Sequence, residues 1–382
     1  MPALKLKPGN RARVLRGHPW VFVNEIQEKL GAEHDGRAVE CRDAQGRFLG
    51  TGIYNEKSQI IWRKFSADHE DFDKTFLRTA IINALRRRGT GDTQRLVWSE
   101  SDFIPGLVAD RYGEIVVLQA LTLAVDLHGG EIAEIFDELL APKSILLKND
   151  APVRAREGLP LTVSVAGADV TPHWRKIGAV EFWLDLAGGQ KTGFYLDQRE
   201  EYQKIARLCR GKRVLDACCN QGGFALHAAD GGATEALGID ISKDAVALAR
   251  RNAEHNKLNA GFSVENVFDY FARERQRQWD VIILDPPSFT KSKDRLTEAL
   301  RGYKELNLRA FQRLVAGGVL ATYACSHHVT HDAYWEMLMS AAGDAGRTVR
   351  LREICRQPAD HPILLNVPES EYLRGFVLEV VA

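Results

Sequence analysis

The sequence predicts an α/β protein whose second half is built on a mostly parallel sheet. The stretch 214–240 contains a short apolar strand, a glycine turn, an alanine-rich helix and a second strand that ends on an acid. This order is typical of the first half of a nucleotide-binding α/β unit. From about residue 191, apolar strands alternate with helical segments, and the wholly apolar run 281–284 suits the buried centre of a parallel sheet. Ligands of such sheets lie at the carboxyl ends of the strands.

The glycine turn indicates which cofactor the sheet would bind. A dinucleotide fingerprint reads GxGxxG because it must cradle a pyrophosphate, whereas this turn holds only Gly222 and Gly223 and follows Asp216. Glycines at this point let a ligand approach the backbone closely. An acidic turn without a phosphate site suits S-adenosylmethionine, and Asp240 at the end of the next strand could hold its ribose hydroxyls. A structural turn without any ligand is the alternative.

The bulk composition is that of a globular protein with two or three domains. The chain has 382 residues, of which 45% are hydrophobic and 27% are charged. Because 51 lysines and arginines balance 51 aspartates and glutamates, the net charge predicts no polyanionic partner. Local basic runs are candidates for RNA contact, although each is more often a solvated face; they lie at 5–16, 86–88 and 347–356.

The six cysteines show neither a CxxC pair nor zinc-ligand spacing with histidines. The chain starts without a charged-then-apolar signal segment, and it has no apolar run of membrane-spanning length. These features predict a cytoplasmic protein with reduced thiols, no metal site and no membrane partner.

Residues 1–70 are expected to form a small β-rich domain, because apolar alternations such as 38–41 and 59–62 are separated by turn signals. The piece RGHPWVF at 16–22 combines basic and aromatic residues. That mixture suits RNA, since arginines meet phosphates and aromatic rings stack on bases. The alternative is that its two large rings are core residues.

Residues 71–190 are expected to form a small α+β domain that begins with a helical period over 71–89. Further segments are strands at 95–98 and 115–118 around a turn-rich hairpin at 100–113, a helix at about 130–140, and strands near 144–148, 162–165 and 180–186. No chemistry beyond shape is evident there, so this domain is expected to help hold a substrate.

Residues 191–382 are expected to form the ligand-binding α/β domain. Helices are predicted up to about 210 and at 224–229, 243–252 and 303–314, and strands at 212–216, 236–239, 262–265, 279–284 and 319–323. Five side chains with chemical potential follow the strands, the third of them in a loop: Asp216, Asp240, Asp269, Asp285 and Cys325. Five candidates on one rim are not the pattern of a core.

The motif Asp285-Pro286-Pro287-Ser288-Phe289 resembles the D/N-P-P-x motif of class I methyltransferases that act on nucleobases. A carboxylate beside two stiff prolines is a preorganised partner for the polar edge of a base. The aromatic ring of Phe289 would offer a stacking face.

Cys325 separates two chemistries that this motif could serve. An exocyclic amine only has to be held for methylation, whereas cytosine C5 is a poor nucleophile until a thiolate adds at C6. A cysteine at the tip of the strand after that of Asp285 would lie beside the base. The alternative is a small apolar residue at a strand end. Cys218 and Cys219, in the first loop, are expected to line the cofactor rather than to react.

Along nearly its whole length the chain resembles the ribosomal large-subunit methyltransferase I family, bacterial S-adenosylmethionine-dependent enzymes that make 5-methylcytidine in 23S rRNA. The matching pieces are, in order, 16–22, 100–113, 191–199, Gly222-Gly223-Phe224, 285–289, RGYK at 301–304, ACS at 324–326 and ADHP at 359–362. The resemblance implies a PUA domain for RNA contact at 1–70, a central α+β domain at 71–190, and a Rossmann-like class I methyltransferase domain with a mostly parallel seven-stranded sheet at 191–382.

The resemblance also implies roles for individual residues. Cys325 matches the nucleophile and Asp285 the residue that engages the base near N3 and N4, while Pro286, Pro287 and Phe289 flank the substrate. Asp240 would take the ribose hydroxyls and Asp269 the adenine amine. The residues that match the cofactor site are Phe194, Asp197, Gln198, Arg199, Asp216, Cys218, Asn220, Gly222, Gly223, Phe224, Asp240, Ile241 and Asp269.

The chain departs from the family pattern at Cys218-Cys219-Asn220 and at His327-His328. Ser288 follows the two prolines, which fits the RNA type of 5-methylcytosine chemistry rather than the DNA type. One rival is an RNA methyltransferase of an exocyclic amine such as guanine N2, and the other is a non-catalytic RNA-binding factor. RNA is the expected partner in each case. The sequence does not determine the modified nucleotide or the general base. It also leaves open the oligomeric state, for which a homodimer is one alternative.

Overall fold

A computed structural model describes residues 2–9, 12–31, 35–189, 192–289 and 293–381 of the chain. The chain forms two compact units, and each combines pieces that are distant in sequence. The first unit contains Met1–His173, Leu184–Leu196 and Ala359–Ser370, and the second contains Trp174–Trp183, Asp197–Pro358 and Glu371–Ala382. Lys191, which opens the motif at 191–199, lies outside the described residues.

The first unit opens with a six-stranded sheet, which confirms the expected β-rich start of the chain. Its strands are β1 (Ala3–Leu6), β2 (Trp20–Val21), β3 (Ile26–Leu30), β4 (Ala38–Arg42), β5 (Phe48–Tyr54) and β6 (Trp62–Ser66), in the order β2-β6-β5-β4-β1-β3. Val39, Ile61 and Trp62 are buried in its core, and the Trp62 indole donates to the carbonyl of Val39 at 2.8 Å. Trp20 and Phe22 are half-buried.

A five-stranded sheet with three helices follows in the same unit. Its elements are α1 (Lys74–Arg87), β7 (Thr93–Trp98), β8 (Leu107–Tyr112), β9 (Ile115–Ala120), α2 (Leu123–Leu127), α3 (Gly129–Leu140), β10 (Ser144–Asn149) and β11 (Thr162–Gly167), with the strand order β11-β10-β9-β8-β7. Leu77 and Ile81 of α1 are buried in one core cluster with Val97 of β7. The helix expected over 71–89 is therefore confirmed, with its buried face at helical spacing.

The hairpin expected at 100–113 is only partly right, because its second half is strand β8. The turn itself ends near Gly106, with Phe103 in the left-handed region at φ 63°. Asp110 and Arg111 interrupt the apolar pattern of β8, so the strand was not evident from the sequence. One of them, Asp110, is fully buried and accepts the guanidinium of Arg95 at 2.8 Å, so the charge is paired inside the sheet.

The second unit contains the seven-stranded, mostly parallel sheet that the sequence predicts. A hairpin of β12 (His173–Ile177) and β13 (Val180–Leu184) precedes it. The sheet strands are β14 (Arg213–Ala217), β15 (Glu235–Asp240), β16 (Gly261–Val264), β17 (Trp279–Leu284), β18 (Leu314–Cys325), β19 (Val349–Arg356) and β20 (Leu373–Val380), in the order β16-β15-β14-β17-β18-β20-β19. The first five in that order run parallel, whereas β20 is antiparallel to both its neighbours.

Helices of this unit connect the strands: α4 (Arg199–Ala206), α5 (Gly223–Asp230), α6 (Lys243–Asn256), α7 (Val267–Arg273), α8 (Leu296–Arg313) and α9 (His331–Asp344). Ser242 caps α6, as expected, by accepting the N–H of Ala245 at 3.2 Å. The central strand β17 is buried at positions 281–284, which is consistent with helices on both faces of the sheet.

The expectation that Asp269 lies in a loop is wrong, because it lies in the first turn of α7. The side chain of Asn266 accepts the N–H of Phe268 at 2.8 Å and starts the helix almost directly after β16. Val267, Tyr270 and other apolar residues form the buried face, and Asp269 is exposed between them.

The boundary between α8 and β18 also differs from expectation. The helix starts at Leu296 rather than near 303, and the strand starts at Leu314, so that Gly317 lies within the strand. The pairing of β17 with β18 shifts register between Trp279 and Val281, and Gly317 has φ 75°. An irregular strand start of this kind cannot be read from alternation. In the part of the chain that the structure describes, no helix is both long and apolar enough to cross a membrane.

Candidate active site

Four of the predicted site residues lie at the carboxyl ends of adjacent parallel strands. Asp240 ends β15, Asp216 is one residue from the end of β14, Asp285 follows β17, and Cys325 ends β18. These strands are neighbours in the order β15-β14-β17-β18. Parallel neighbours end at the same edge of a sheet, so the four side chains share one rim. The expected adjacency of the strands of Asp285 and Cys325 is confirmed.

Cys325, Asp285 and Gln198 form the centre of this rim. The Sγ atom of Cys325 lies 3.9 Å from Oδ1 of Asp285. The other carboxylate oxygen, Oδ2, accepts the side-chain N–H of Gln198 at 3.0 Å. Cys325 and Asp285 are half-buried and Gln198 is buried, so a thiol and an oriented carboxylate are both within reach of a ligand at the rim.

The accessibility of the six cysteines leaves Cys218 and Cys325 as the candidates for a reactive thiol. Four of them are buried, and only Cys218 and Cys325 are half-buried. Burial raises the pKa of the Cys218 thiol well above its ordinary value, and the carboxylates of Asp240, Asp285 and Asp216 raise it further. Cys218 is therefore a neutral thiol at physiological pH, which is a poor nucleophile.

The loop after β14 is shaped by left-handed backbone conformations. Cys218, Asn220 and Gly222 have φ values of 68°, 48° and 87°. Non-glycine residues adopt such conformations rarely, and only where the surroundings hold them. Here the Asp240 carboxylate accepts the N–H of Asn220 and the N–H of Ser242, both at 2.9 Å, and so ties the loop to the end of β15.

The two glycines of this loop have a packing reason that the sequence did not reveal. A Cβ atom on Gly223 would lie 2.6 Å from the ring of Tyr202, and one on Gly222 would lie 3.0 Å from the ring of Phe262. Gly223 and Phe224 are both buried in α5. Aromatic side chains of the protein thus need the space at the glycines, in addition to any closeness of a ligand.

Asp216 is the most deeply buried acid of the rim, with 0% of its surface exposed. Its Oδ2 accepts the N–H of Ala225 at 2.9 Å, while Oδ1 has no hydrogen-bond partner among the described residues. Burial raises the pKa of this carboxyl to about 8 against the effect of the Ala225 N–H, and the charges of Asp285 and Asp240 contribute to the rise. A cation bound here would return the carboxyl to its ionised form.

The segment after β17 is anchored to α8. Pro286 is buried and Pro287 is exposed, while Phe289 is half-buried. The ring of Phe289 packs on that of Tyr303, with the centroids 4.5 Å apart and the planes tilted by 40°. Phe289 therefore anchors the segment that carries Asp285, whether or not the exposed part of its ring also contacts a ligand.

The motif at 194–199 is divided between the two units. Phe194 is buried in the first unit, where its N–H donates to the hydroxyl of Tyr112 at 3.1 Å. Asp197 belongs to the second unit and accepts the hydroxyl of Tyr372 at 2.9 Å. Arg199 is the first residue of α4, and its guanidinium lies 4.0 Å from the carboxylate of Glu200.

Two further predicted cofactor residues are exposed. Ile241, which follows Asp240, has 70% of its surface exposed, which is unusual for so apolar a side chain. Asp269 is exposed on α7. Apolar surface beside the Asp240 carboxylate is what a base and its ribose would contact.

Three tyrosines that the sequence analysis left without a role support the rim. Tyr303 carries the segment of Asp285, and Tyr372 holds Asp197. Tyr323 lies two residues before Cys325 on the same strand face, and its hydroxyl donates to the buried carboxylate of Glu201 at 3.1 Å. Tyr303 lies in the RGYK piece at 301–304, so its motif could have indicated a role at the site. The sequence gives no such indication for Tyr323 and Tyr372.

The rim fits the cofactor that the sequence predicts. S-adenosylmethionine carries positive charge and hydroxyl groups and no phosphate, and the rim offers the carboxylates of Asp216, Asp240 and Asp285. The unpartnered buried oxygen of Asp216 would gain a donor. Within the described ranges, no group of three or more histidine, cysteine or acidic side chains is arranged to hold a metal ion.

Two family models match the chain. A PUA-like domain matches residues 4–67, and an S-adenosylmethionine-dependent methyltransferase matches residues 168–363. The second match spans more than half of the 382 residues. The cofactor inferred from the acidic glycine turn is therefore confirmed.

Solved structures show the same fold over the whole chain. A candidate S-adenosylmethionine-dependent methyltransferase from Streptococcus mutans has a TM-score of 0.84 at 22% identity and covers 100% of both chains. A candidate methyltransferase complexed with SAH has a TM-score of 0.84 at 21% identity. At such identities the likeness shows the fold alone.

Curated relatives are similar at higher identity. The ribosomal RNA large subunit methyltransferase I of Shigella boydii serotype 18 is 36% identical over 392 aligned residues, which cover 99% of this chain and 99% of that protein. The protein of the same name from Salmonella newport is also 36% identical, over 100% of this chain and 98% of its own. With the fold, the acidic rim and both family models in agreement, the chain belongs to the ribosomal RNA large subunit methyltransferase I family of S-adenosylmethionine-dependent methyltransferases.

Proposed function

We propose that this enzyme forms 5-methylcytidine in 23S rRNA, with Cys325 as the nucleophile. The observation that carries the proposal is the pairing of a half-buried thiol with a carboxylate on adjacent strand ends, 3.9 Å apart between Cys325 Sγ and Asp285 Oδ1. Methylation of an exocyclic amine needs the carboxylate, but it involves no covalent adduct and therefore does not require the thiol. The name of the relatives supports large-subunit rRNA as the substrate.

In the proposed reaction, Cys325 sulfur adds to C6 of the cytosine, and the new S–C bond makes C5 nucleophilic. S-adenosylmethionine, when bound, supplies the electrophilic methyl group. C5 would take that methyl group as S-adenosylhomocysteine leaves, and removal of the C5 proton by a base would then break the S–C bond, release the Cys325 thiolate and restore the aromatic ring. Asp285 would accept a hydrogen of the N4 amine at that edge of the base, so that C6 faces the sulfur.

The surrounding residues would position the two ligands. Pro286 and Pro287 stiffen the segment that carries Asp285, and Phe289 anchors it on Tyr303. Asp240 at the end of β15 would take ribose hydroxyls, and the exposed Ile241 would contact the adenine.

The remaining cofactor contacts follow the family resemblance. Asp269 would hold the adenine amine, and its exposed place in the first turn of α7 leaves its carboxylate available. The other residues assigned to this site are Phe194, Asp197, Gln198, Arg199, Asp216, Cys218, Asn220, Gly222, Gly223 and Phe224.

RNA contact outside the catalytic rim is assigned to the N-terminal part. The PUA-like match at 4–67 and the exposed Arg16 support a role for residues 1–70, with 71–190 helping to hold the substrate and 191–382 forming the methyltransferase domain. Because ribosomal RNA is made and assembled in the bacterial cytoplasm, the proposal implies a cytoplasmic enzyme.

The proposal is tested with 23S rRNA whose cytidines are replaced by 5-fluorocytidine. The fluorine at C5 cannot leave as a proton does, so the enzyme with S-adenosylmethionine should accumulate a covalent adduct. Mass spectrometry should map that adduct to Cys325. Methyl transfer to unmodified rRNA without any adduct on the fluorinated RNA would instead favour methylation of an exocyclic amine.

Cys325→Ser should abolish turnover, because a serine hydroxyl is a far weaker nucleophile than a thiolate. We expect a loss of about 10³-fold or more in methyl transfer, with S-adenosylmethionine affinity by calorimetry unchanged. Cys209→Ser is the matched control and should keep most of the activity, because this cysteine lies outside the assigned site and a serine hydroxyl can also donate to the carbonyl of Ile205. Retained turnover in Cys325→Ser would remove the nucleophile assignment.

A further inference from the structure

Gln198 has a buried acceptor without a partner beside the reacting pair. It is 1% exposed and ends the short turn Leu196–Gln198 that leads into α4. Its Nε2 donates to Asp285 Oδ2 at 3.0 Å, whereas its Oε1 is buried without a hydrogen-bond partner among the described residues. A buried carbonyl oxygen that bonds to nothing is unfavourable. The atom therefore indicates a ligand that brings a donor.

The contact with Asp285 fixes which way the Gln198 amide faces. An ionised carboxylate can only accept hydrogen bonds, so the amide must turn its NH₂ group toward Asp285. Oε1 then has to point elsewhere. One side chain thus holds the carboxylate with its donor and presents an acceptor next to it.

The turn that carries Gln198 reaches strands on both sides of the nucleophile. Gln198 contacts Asp285, which follows β17, and the neighbouring Asp197 accepts the hydroxyl of Tyr372, which precedes β20. In the sheet, β18 lies between β17 and β20 and ends on Cys325. The carbonyl of Tyr372 also accepts the N–H of Ser326 at 3.1 Å. A base held at Cys325 therefore meets this turn.

We infer that Gln198 selects cytosine over uracil by accepting a hydrogen of the exocyclic N4 amine with its Oε1. The inference rests on the proposed function, because it concerns the base that Cys325 attacks. Cytosine presents an NH₂ group at position 4, and one hydrogen can go to each of the acceptors Gln198 and Asp285. Uracil presents an oxygen at the same place, which both acceptors repel. Gln198 is thereby a substrate-specificity residue, whereas the family resemblance places it with the cofactor.

The test compares covalent adduct formation at one position of the RNA. The adduct on 5-fluorocytidine-substituted 23S rRNA is first mapped with the wild-type enzyme. The same position is then made either 5-fluorocytidine or 5-fluorouridine, and the ratio of the two adduct rates is measured. Gln198→Met, which removes the acceptor at nearly constant length, should lower that ratio by about tenfold or more. Gln203→Met, an exposed position one turn further along α4, is the matched control and should leave it unchanged.

A second variant separates specificity from support of Asp285. Gln198→Glu keeps an acceptor but loses the NH₂ donor, so it should slow the adduct on both bases while holding the ratio within about threefold. This variant also keeps the inference testable if Gln198→Met is too unstable to assay. If Gln198→Glu no longer prefers 5-fluorocytidine over 5-fluorouridine, the inference is overturned. Thermal unfolding of each variant reports whether the fold is intact.

Other outcomes overturn the inference in distinguishable ways. An unchanged ratio in a folded Gln198→Met would remove Gln198 from base selection. Weaker S-adenosylmethionine binding by calorimetry with an unchanged ratio would assign Oε1 to the cofactor instead. Failure of the wild-type enzyme to form any adduct with 5-fluorocytidine would overturn the proposed function itself, and the inference with it.

Discussion

Asp216 is a fully buried carboxyl whose neighbours on the rim, Asp240 and Asp285, are also acids. Burial, assisted by these charges, raises its pKa to about 8, so in the cofactor-free protein it carries a proton over much of the physiological range. The same residue accepts only one hydrogen bond among the described residues, from Ala225. Such an acid is costly for the fold when it ionises, and it is expected at a binding site rather than in a structural core.

The pH dependence of stability should therefore change in Asp216→Asn. A carboxyl whose pKa is raised on folding stabilises the fold fully at pH values below its ordinary range, and this contribution is lost as the pH rises toward about 8. Without cofactor, the wild-type free energy of unfolding should fall between pH 5 and pH 8, and that of Asp216→Asn should fall less. Urea unfolding of both proteins at the two pH values checks this. An identical decline would contradict the assignment.

At the level of single elements, helix α5 depends on a glycine that leaves room for a tyrosine ring. A Cβ on Gly223 would lie 2.6 Å from Tyr202, whose ring is buried and cannot simply swing away. Gly223→Ala should destabilise the protein by about 1–3 kcal/mol. The matched control is Gly343→Ala in α9, where a Cβ would meet nothing within 4 Å and should stabilise by up to about 1 kcal/mol. Denaturant unfolding measures both changes, and equal effects would contradict the packing argument.

The segment Ala359–Ser370 is held in the first unit by charged hydrogen bonds. Glu369 accepts the guanidinium of Arg13 at 2.7 Å and the imidazole of His18 at 3.0 Å. Although burial opposes it, hydrogen bonding to His18 and Arg13 lowers the pKa of Glu369 to about 2. His18, in the motif piece at 16–22, thus has a structural role within this unit. The piece at 359–362 meets β7 separately, where Asp360 accepts the N–H of Arg95 at 3.1 Å.

Glu369→Gln should lower stability at pH 7 by about 1–2 kcal/mol, since hydrogen bonds to charged groups are the stronger ones. A glutamate with a depressed pKa stabilises the fold above its ordinary value and loses that contribution as the pH falls toward about 2. The difference between wild type and variant should therefore shrink between pH 5 and pH 3. Glu56→Gln, which removes an exposed pair with Lys29, is the control and should cost under about 0.5 kcal/mol. A difference that grows at low pH would contradict this account.

For the whole molecule, charge balance predicts that RNA binding depends on a local surface. With 51 basic and 51 acidic residues, the chain has no overall attraction to a polyanion. If the N-terminal part contacts RNA, Arg16→Ala should weaken binding to 23S rRNA and reduce the slope of log affinity against log salt by about 1. Arg210→Ala, at an exposed arginine outside the basic runs, is the comparison and should change neither. Filter binding over a salt series tests this, and equal losses would assign no special role to the N-terminal surface.

The sequence predicted those features that depend on local pattern. The apolar run of β17, the alternation of strands and helices, and the acids and thiol after the strands are all visible within a few residues, so the sheet and its rim could be inferred. It failed where a boundary depends on a neighbour. Asp269 entered α7 because Asn266 starts the helix early, and β18 gained its first residues through a bulge against Trp279. The domain boundaries expected near residues 70 and 190 stay predictions.

By itself, the sequence determined the fold class and the cofactor, because hydrophobic periodicity and glycine spacing are carried by short stretches. The family followed from the resemblance of its motif pieces, which are equally local. Only the tertiary structure decided which strands are neighbours and which distant residues meet. The bond between Gln198 and Asp285 joins positions 87 residues apart, and Glu369 reaches back 356 residues to Arg13. Such contacts follow from how strands cross over and pack, a long-range property that no local pattern of side chains records.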